Sequence, residues 1–144
     1  MQILRGKEKC YMDEKNRNAL AKVRIERAQE LLEEAKRLMV DGAYKSANNR
    51  AYYSFEKSIK ALLALKFKDA KTHAGVLHLF NSEYVHNGEY FTHEDYVKFK
   101  DSEFIRTASD YDDFYIAAKE DSQKQIENAE YMIKKVEKYL SEFL

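Results

Sequence analysis

The chain is 144 residues long, has no proline, four glycines and one cysteine, and carries a formal net charge of zero. That length fits one domain with one core. Its 44% apolar content is too high for a disordered chain, and its neutral balance argues against a uniformly basic nucleic-acid binder.

Proline breaks helix interiors and glycine loosens them, so this chain can run in long helices. Asp13 suits an N-cap, with Glu14 in the first turn favouring the helix dipole; residues 1–12 before it are expected to form a flexible tail. Leu20, Val23, Arg27/Ala28, Leu31, Ala35 and Leu38 then recur at three- and four-residue steps and predict one buried stripe. Asp41-Gly42 stops that helix. A second helix is expected from Ala43 to about Lys68, burying Ala47, Ala51, Phe55, Ile59, Leu62 and Leu63. Thr72 and His73 mark the start of a third, shorter helix with Val76, Leu77, Phe80 and Tyr84, ended by Asn87-Gly88. Thr92 through Asp95 has the form of a capping box and opens a fourth helix. Its pattern (Tyr96, Phe99, Phe104, Ile105) is looser and dissolves between Ser109 and Tyr115. The last helix, about 119–143, has Ile126, Ala129, Ile133, Val136, Leu140 and Phe143 in heptad spacing. The fold expected over residues 13–144 is all-α, an antiparallel up-and-down four-helix bundle with one additional short helix.

Charge is unevenly spread. Residues 1–72 hold 17 Lys/Arg against 10 Asp/Glu (+7), and residues 73–144 hold 8 against 15 (−7). Either this draws opposite ends together, within one bundle or between protomers, or it reflects solvated faces alone. Eleven tyrosines against no tryptophan suit half-buried seams and interfaces. Cys10 stands alone, so neither an intrachain disulfide nor a thiolate metal cluster is expected. With no run of ~18 apolar residues and no secretory apolar region in Met1 to Tyr11, no membrane contact and a cytoplasmic location are expected.

Local chemistry is sparse. The histidines at 73, 78, 86 and 93 include no i, i+4 pair. Glu83-Tyr84-Val85-His86 spells the Glu-x-x-His element of di-iron bundles, but such sites need two copies plus two further glutamates; the alternative is a surface turn, and no metal or cofactor is expected. No glycine-rich phosphate loop occurs. Two stretches stand out. Asn48-Asn49-Arg50-Ala51-Tyr52-Tyr53 places Asn49 and Tyr53 on one face near the apolar stripe, where polar groups need partners. Arg106 through Tyr115 places Arg106 and Asp110 at i, i+4. That arginine with its acids and phenols either binds phosphate or locks the helix end as a structural ion pair.

At these residues the sequence resembles the HEPN superfamily, and within it the small stand-alone prokaryotic branch. The matching pieces are Asn49 to Tyr53, then Lys71-Thr72-His73 ahead of Gly75-Val76 and Phe80, then Arg106 through Asp110-Tyr111. They cover roughly residues 18–143. The resemblance implies a helical bundle, a homodimer, and a link to toxin–antitoxin or defence systems, with a minimal nucleotidyltransferase as partner. In some members it implies a metal-independent ribonuclease whose motif is an arginine, four to six intervening residues, then a histidine. Arg106 fits that arginine. Tyr111, Asp112 and Asp113 occupy the histidine positions, and no histidine follows His93. A phenol with a pKa near ~10 is a poor base at neutral pH, which leaves Asp110 or a distant His73 to stand in.

Three functions compete. The first is a non-catalytic module in which Asn49, Arg50, Tyr53, Arg106, Asp110 and Tyr111 line a groove for a nucleotide or partner loop, with Tyr111 an acceptor for modification. The second is a divergent ribonuclease toxin, with Arg106, Asp110 and Tyr111 handling RNA. The third is a purely structural helical adaptor.

Overall fold

A computed structural model describes residues 14–144. Asp13, Cys10 and the tail expected over residues 1–12 lie outside the described residues. Five helices follow: α1 (Glu14–Val40), α2 (Tyr44–Leu65), α3 (His73–Phe80), α4 (His93–Tyr111) and α5 (Lys119–Leu140), with one π-helical stretch, Asn81–Val85, continuing α3. The fold is all-α, as the sequence predicts.

Gly42 takes φ 77° and ends α1 by two reverse bonds, Gly42 N to Met39 O (3.0 Å) and Ala43 N to Leu38 O (2.8 Å). The same motif closes α2 at Leu65, three residues earlier than the expected Lys68. Phe67 takes the left-handed position (φ 56°), and Lys68 N donates back to Leu63 O (3.0 Å). Thr72 caps α3 by accepting from Gly75 N (3.0 Å), and Thr92 and Asp95 form the capping box of α4.

Cross-helix bonds fix the directions. Ser54 Oγ donates to Ala28 O (2.9 Å) and Arg24 to Lys60 O (3.0 Å), so α1 and α2 run antiparallel. Lys36 reaches Glu130 (2.6 Å) and Asn18 reaches Phe143 O (2.9 Å), which sets α5 against α1. Gln125 donates to Ser102 O (3.2 Å) and Lys135 to Asp95 (2.7 Å), which sets α4 against α5. Consecutive long helices therefore alternate in direction, with α2 central.

The core centres on Phe99, stacked on Phe55 (centroids 4.9 Å) and on Tyr52 (6.0 Å), with the edge of Phe80 at 6.2 Å. The expected buried faces of α2 and α5 are in place, apart from Phe143, which lies past the end of α5 and is half exposed. On α1, Ala28, Leu31 and Ala35 of the expected stripe are buried and are joined by Ala21, Ile25 and Leu32, whereas Val23 is 63% exposed. Phe104 of α4 points to solvent at 73% exposure.

A Cβ on Gly75 would lie 2.9 Å from Ala70 Cβ and 3.1 Å from the capping Thr72 Oγ1. Gly75→Ala is expected to cost about 1–3 kcal/mol by overpacking. Thermal unfolding checks it, and adding Ala70→Gly should restore part of the loss.

Candidate functional site

The last two turns of α4 lie against the first half of α2 and the start of α3. Arg106 points inward and is only 4% exposed. Its two terminal nitrogens donate to Asp110 Oδ2 (3.2 Å) and Glu103 Oε1 (3.1 Å), and the second also reaches Thr107 Oγ1 (3.2 Å). Its Nε has no hydrogen-bond partner among the described residues. Three phenol rings surround the guanidinium: Tyr52 at 5.1 Å, Tyr111 at 5.9 Å and Tyr53 at 6.0 Å. Burial opposes the charge on Arg106, but the bond to Glu103, with Tyr111 and Tyr53 alongside, more than offsets it, so its pKa is raised.

Across the Tyr52 ring sits a second cluster. The buried Tyr52 hydroxyl donates to Glu56 Oε2 (2.8 Å) and lies 3.1 Å from His73 Nδ1; His73 Nδ1 is 2.6 Å from the same carboxylate oxygen. The Tyr52 phenol pKa is pushed far above its ordinary value, first by burial and then by the Glu56 charge, so Tyr52 stays protonated and donates. With Nδ1 against the Glu56 carboxylate, the neutral form of His73 carries its ring hydrogen on Nδ1 and its lone pair on Nε2, on a side chain about one-third exposed. A histidine oriented by a buried carboxylate has the form of a base held in one tautomer.

Asn49 lies on the far side of Asp110 and donates to the same Oδ2 that accepts from Arg106 (3.1 Å). Arg50 donates to Asn49 Oδ1 (3.3 Å) and pairs with Glu34 of α1 (3.4 Å). Asn49, Arg50 and Asp110, with Leu38, Lys45 and Ser46, line an open cleft of about 380 Å³. The groove expected from the sequence is thus two places. Asn49, Arg50 and Asp110 face the cleft, whereas Tyr53 and Arg106 belong to the packed aromatic cluster with His73. Tyr111 is 75% exposed at the end of α4.

His73 both opens α3, as the sequence predicts, and joins Glu56 and Tyr52. Glu56, Glu103 and Lys45 have no part in the sequence reading. Glu56 follows Tyr52 by four residues and Glu103 precedes Arg106 by three, so helical spacing was the available signal for both. Glu83 lies 3.9 Å from Lys66, and among the described residues no three His, Cys, Asp or Glu side chains converge as a metal site.

The HEPN domain family model matches residues 21–139. The chain belongs to the HEPN family. Among its relatives, "Putative toxin MJ0605" of Methanocaldococcus jannaschii is 34% identical over 126 residues, 83% of this chain and 88% of that one. "Putative toxin MJ0142" of the same organism is 31% identical over 116 residues, 81% and 78% of the two chains. A "UPF0332 protein" of Thermotoga maritima is 32% identical over 117 residues, 81% and 87%. This HEPN chain is therefore of the kind whose relatives carry toxin names. Among its described residues no helix is long and apolar enough to cross a membrane.

Proposed function

We propose that this HEPN chain is a non-catalytic binding module of a toxin–antitoxin or defence-type system. It recognises a nucleotide or a partner segment on the face shared by α2 and α4. The observation that carries this reading is the state of Arg106. It is 4% exposed and spends both terminal nitrogens on Glu103 and Asp110, so it orders the end of α4 and is not presented to a phosphodiester. Three carboxylates, Glu56, Glu103 and Asp110, within the cluster also disfavour a polyanion there. The toxin names of two relatives support the type of system. The partner is a minimal nucleotidyltransferase, the protein works as a homodimer, and the exposed Tyr111 phenol is its acceptor for modification. Purified protein is expected to leave RNA intact, to capture a nucleotidyltransferase from its host, and to have a dimer mass in light scattering. Reproducible RNA cleavage lost in Arg106→Ala would overturn the reading.

A second reading, a metal-independent ribonuclease, is favoured by the 2.6 Å contact between His73 and Glu56. It supplies a positioned histidine that the sequence lacks after Arg106. In that reading His73 is the base, Glu56 positions it, and Arg106 acts through the Tyr52 ring they share. RNA cleavage abolished by His73→Ala and reduced by Glu56→Gln, with an unchanged far-ultraviolet circular dichroism spectrum, would select it. Harmless high-level expression would count against it.

A further inference from the structure

The cleft beside Asp110 is distinct from the aromatic cluster and is chemically different. Two cationic side chains, Lys45 and Arg50, one hydroxyl, Ser46, and one amide, Asn49, meet there with a single carboxylate, Asp110. Lys45 and Ser46 make no side-chain hydrogen bond or ion pair to the described residues, so their donors are available. Arg50 is only half-committed: its bond to Asn49 and its pair with Glu34 are both long and lie on the surface. At the start of α2, Ala43 offers no side-chain cap and no acid occupies the first turn. A volume of about 380 Å³ is at the small end of ligand sites.

Asp110 connects the two places. One oxygen, Oδ2, accepts from Asn49 on the cleft side (3.1 Å) and from Arg106 on the buried side (3.2 Å). A phosphate in the cleft competes for the Asn49 amide and repels the Asp110 carboxylate. The carboxylate then turns its full accepting capacity toward Arg106.

We infer that this cleft binds a small phosphate monoester through Lys45, Ser46, Asn49 and Arg50, and that Asp110 relays its occupancy to Arg106. This rests on the binding-module reading and specifies the ligand class and the regulation of that same face.

Calorimetric titration with ribose 5-phosphate is the test, with ribose as the phosphate-free control and inorganic phosphate as a third arm. The wild type is expected to bind ribose 5-phosphate with a Kd below about 1 mM and to ignore ribose. Lys45→Ala and Arg50→Ala, both at surface positions, should each weaken binding about tenfold. No binding by the wild type, equal binding by both variants, or binding of inorganic phosphate without ribose 5-phosphate each overturns the site. The relay is read from the 15N resonance of Arg106 Nε, which is expected to shift on saturation in the wild type. In Asp110→Asn, which removes the repelling carboxylate, binding should tighten while the shift disappears; an undiminished shift in Asp110→Asn, or none in the wild type, overturns the relay. Capture of the nucleotidyltransferase separates this inference from its parent. A protein that captures the partner but binds no phosphate monoester loses this site alone. One that captures nothing and cleaves RNA loses the module reading.

Discussion

Arg106→Ala is expected to lower unfolding free energy by about 2–3 kcal/mol. The loss comes from stranding two carboxylates and emptying the space between three phenol rings. Breaking a fully buried ion pair costs about 3–5 kcal/mol. Here the partners are partly wet, at 32% side-chain exposure for Glu103 and 22% for Asp110, so water repays some of the loss. Arg106→Lys should cost less but more than nothing, because one ammonium cannot fork between Glu103 and Asp110 as a guanidinium does. A urea-denaturation cycle with Asp110→Asn isolates the pair, with a coupling energy of about 1 kcal/mol or more expected between residues in direct contact. Additive effects would mean that the bond to Asp110 contributes nothing, and the account of Arg106 as the organiser of the α4 end would fail.

Asp95→Ala is expected to cost about 3–4 kcal/mol, from a lost helix cap together with an abandoned cation. Asp95 is fully buried. Its carboxylate accepts from Thr92 N (2.9 Å), Tyr131 (2.8 Å) and Lys135 (2.7 Å), so one side chain caps α4 and fastens it to α5. Burial pushes its pKa up, but Lys135, the Thr92 amide and the Tyr131 hydroxyl together hold it below its ordinary value of 3.8. The folded-state pKa is therefore depressed. The stabilisation is complete above the unfolded value and disappears as pH falls through the lower folded one. Wild-type stability should drop as pH descends below about 4, and Asp95→Asn should flatten that part of the profile. An unchanged acid limb in Asp95→Asn would show that other carboxylates govern it.

Much of the fold is legible in the chain because α2 and α5 repeat large apolar residues at helical spacing. The α1 stripe is legible from Ala28 onward, where Ala28, Leu31 and Ala35 are buried as expected. Its start misleads for a physical reason: the buried Ala21 carries little hydrophobic signal, whereas the louder Val23 faces water. Phe104 misleads in the same way. Of the candidate site, the Arg106–Asp110 pair follows from i, i+4 spacing. The bond from Asn49 to Asp110 spans 61 positions and depends on where α4 lands against α2. His73 meets Glu56 only because the reverse turn at Phe67 and the extended Thr72 bring α3 back beside the middle of α2, and no local pattern encodes that return.

Helix α4 is fastened unequally along its length. Its first half is held by Phe99 and by the bonds of Asp95 to α5. Its second half turns Ser102, Arg106 and Ser109 inward, and Ser102 Oγ, Ser109 Oγ and Arg106 Nε find no partner among the described residues, while Phe104 and Tyr111 remain outside. Unpaired buried polar groups subtract from stability, and outward rings add little. The final turns of α4 are therefore expected to open more readily than its first turns, without the α1–α2–α5 core. Amide exchange should rise toward Tyr111 along this one helix, and such an opening would expose Tyr52, Tyr53 and Arg106 without unfolding the rest.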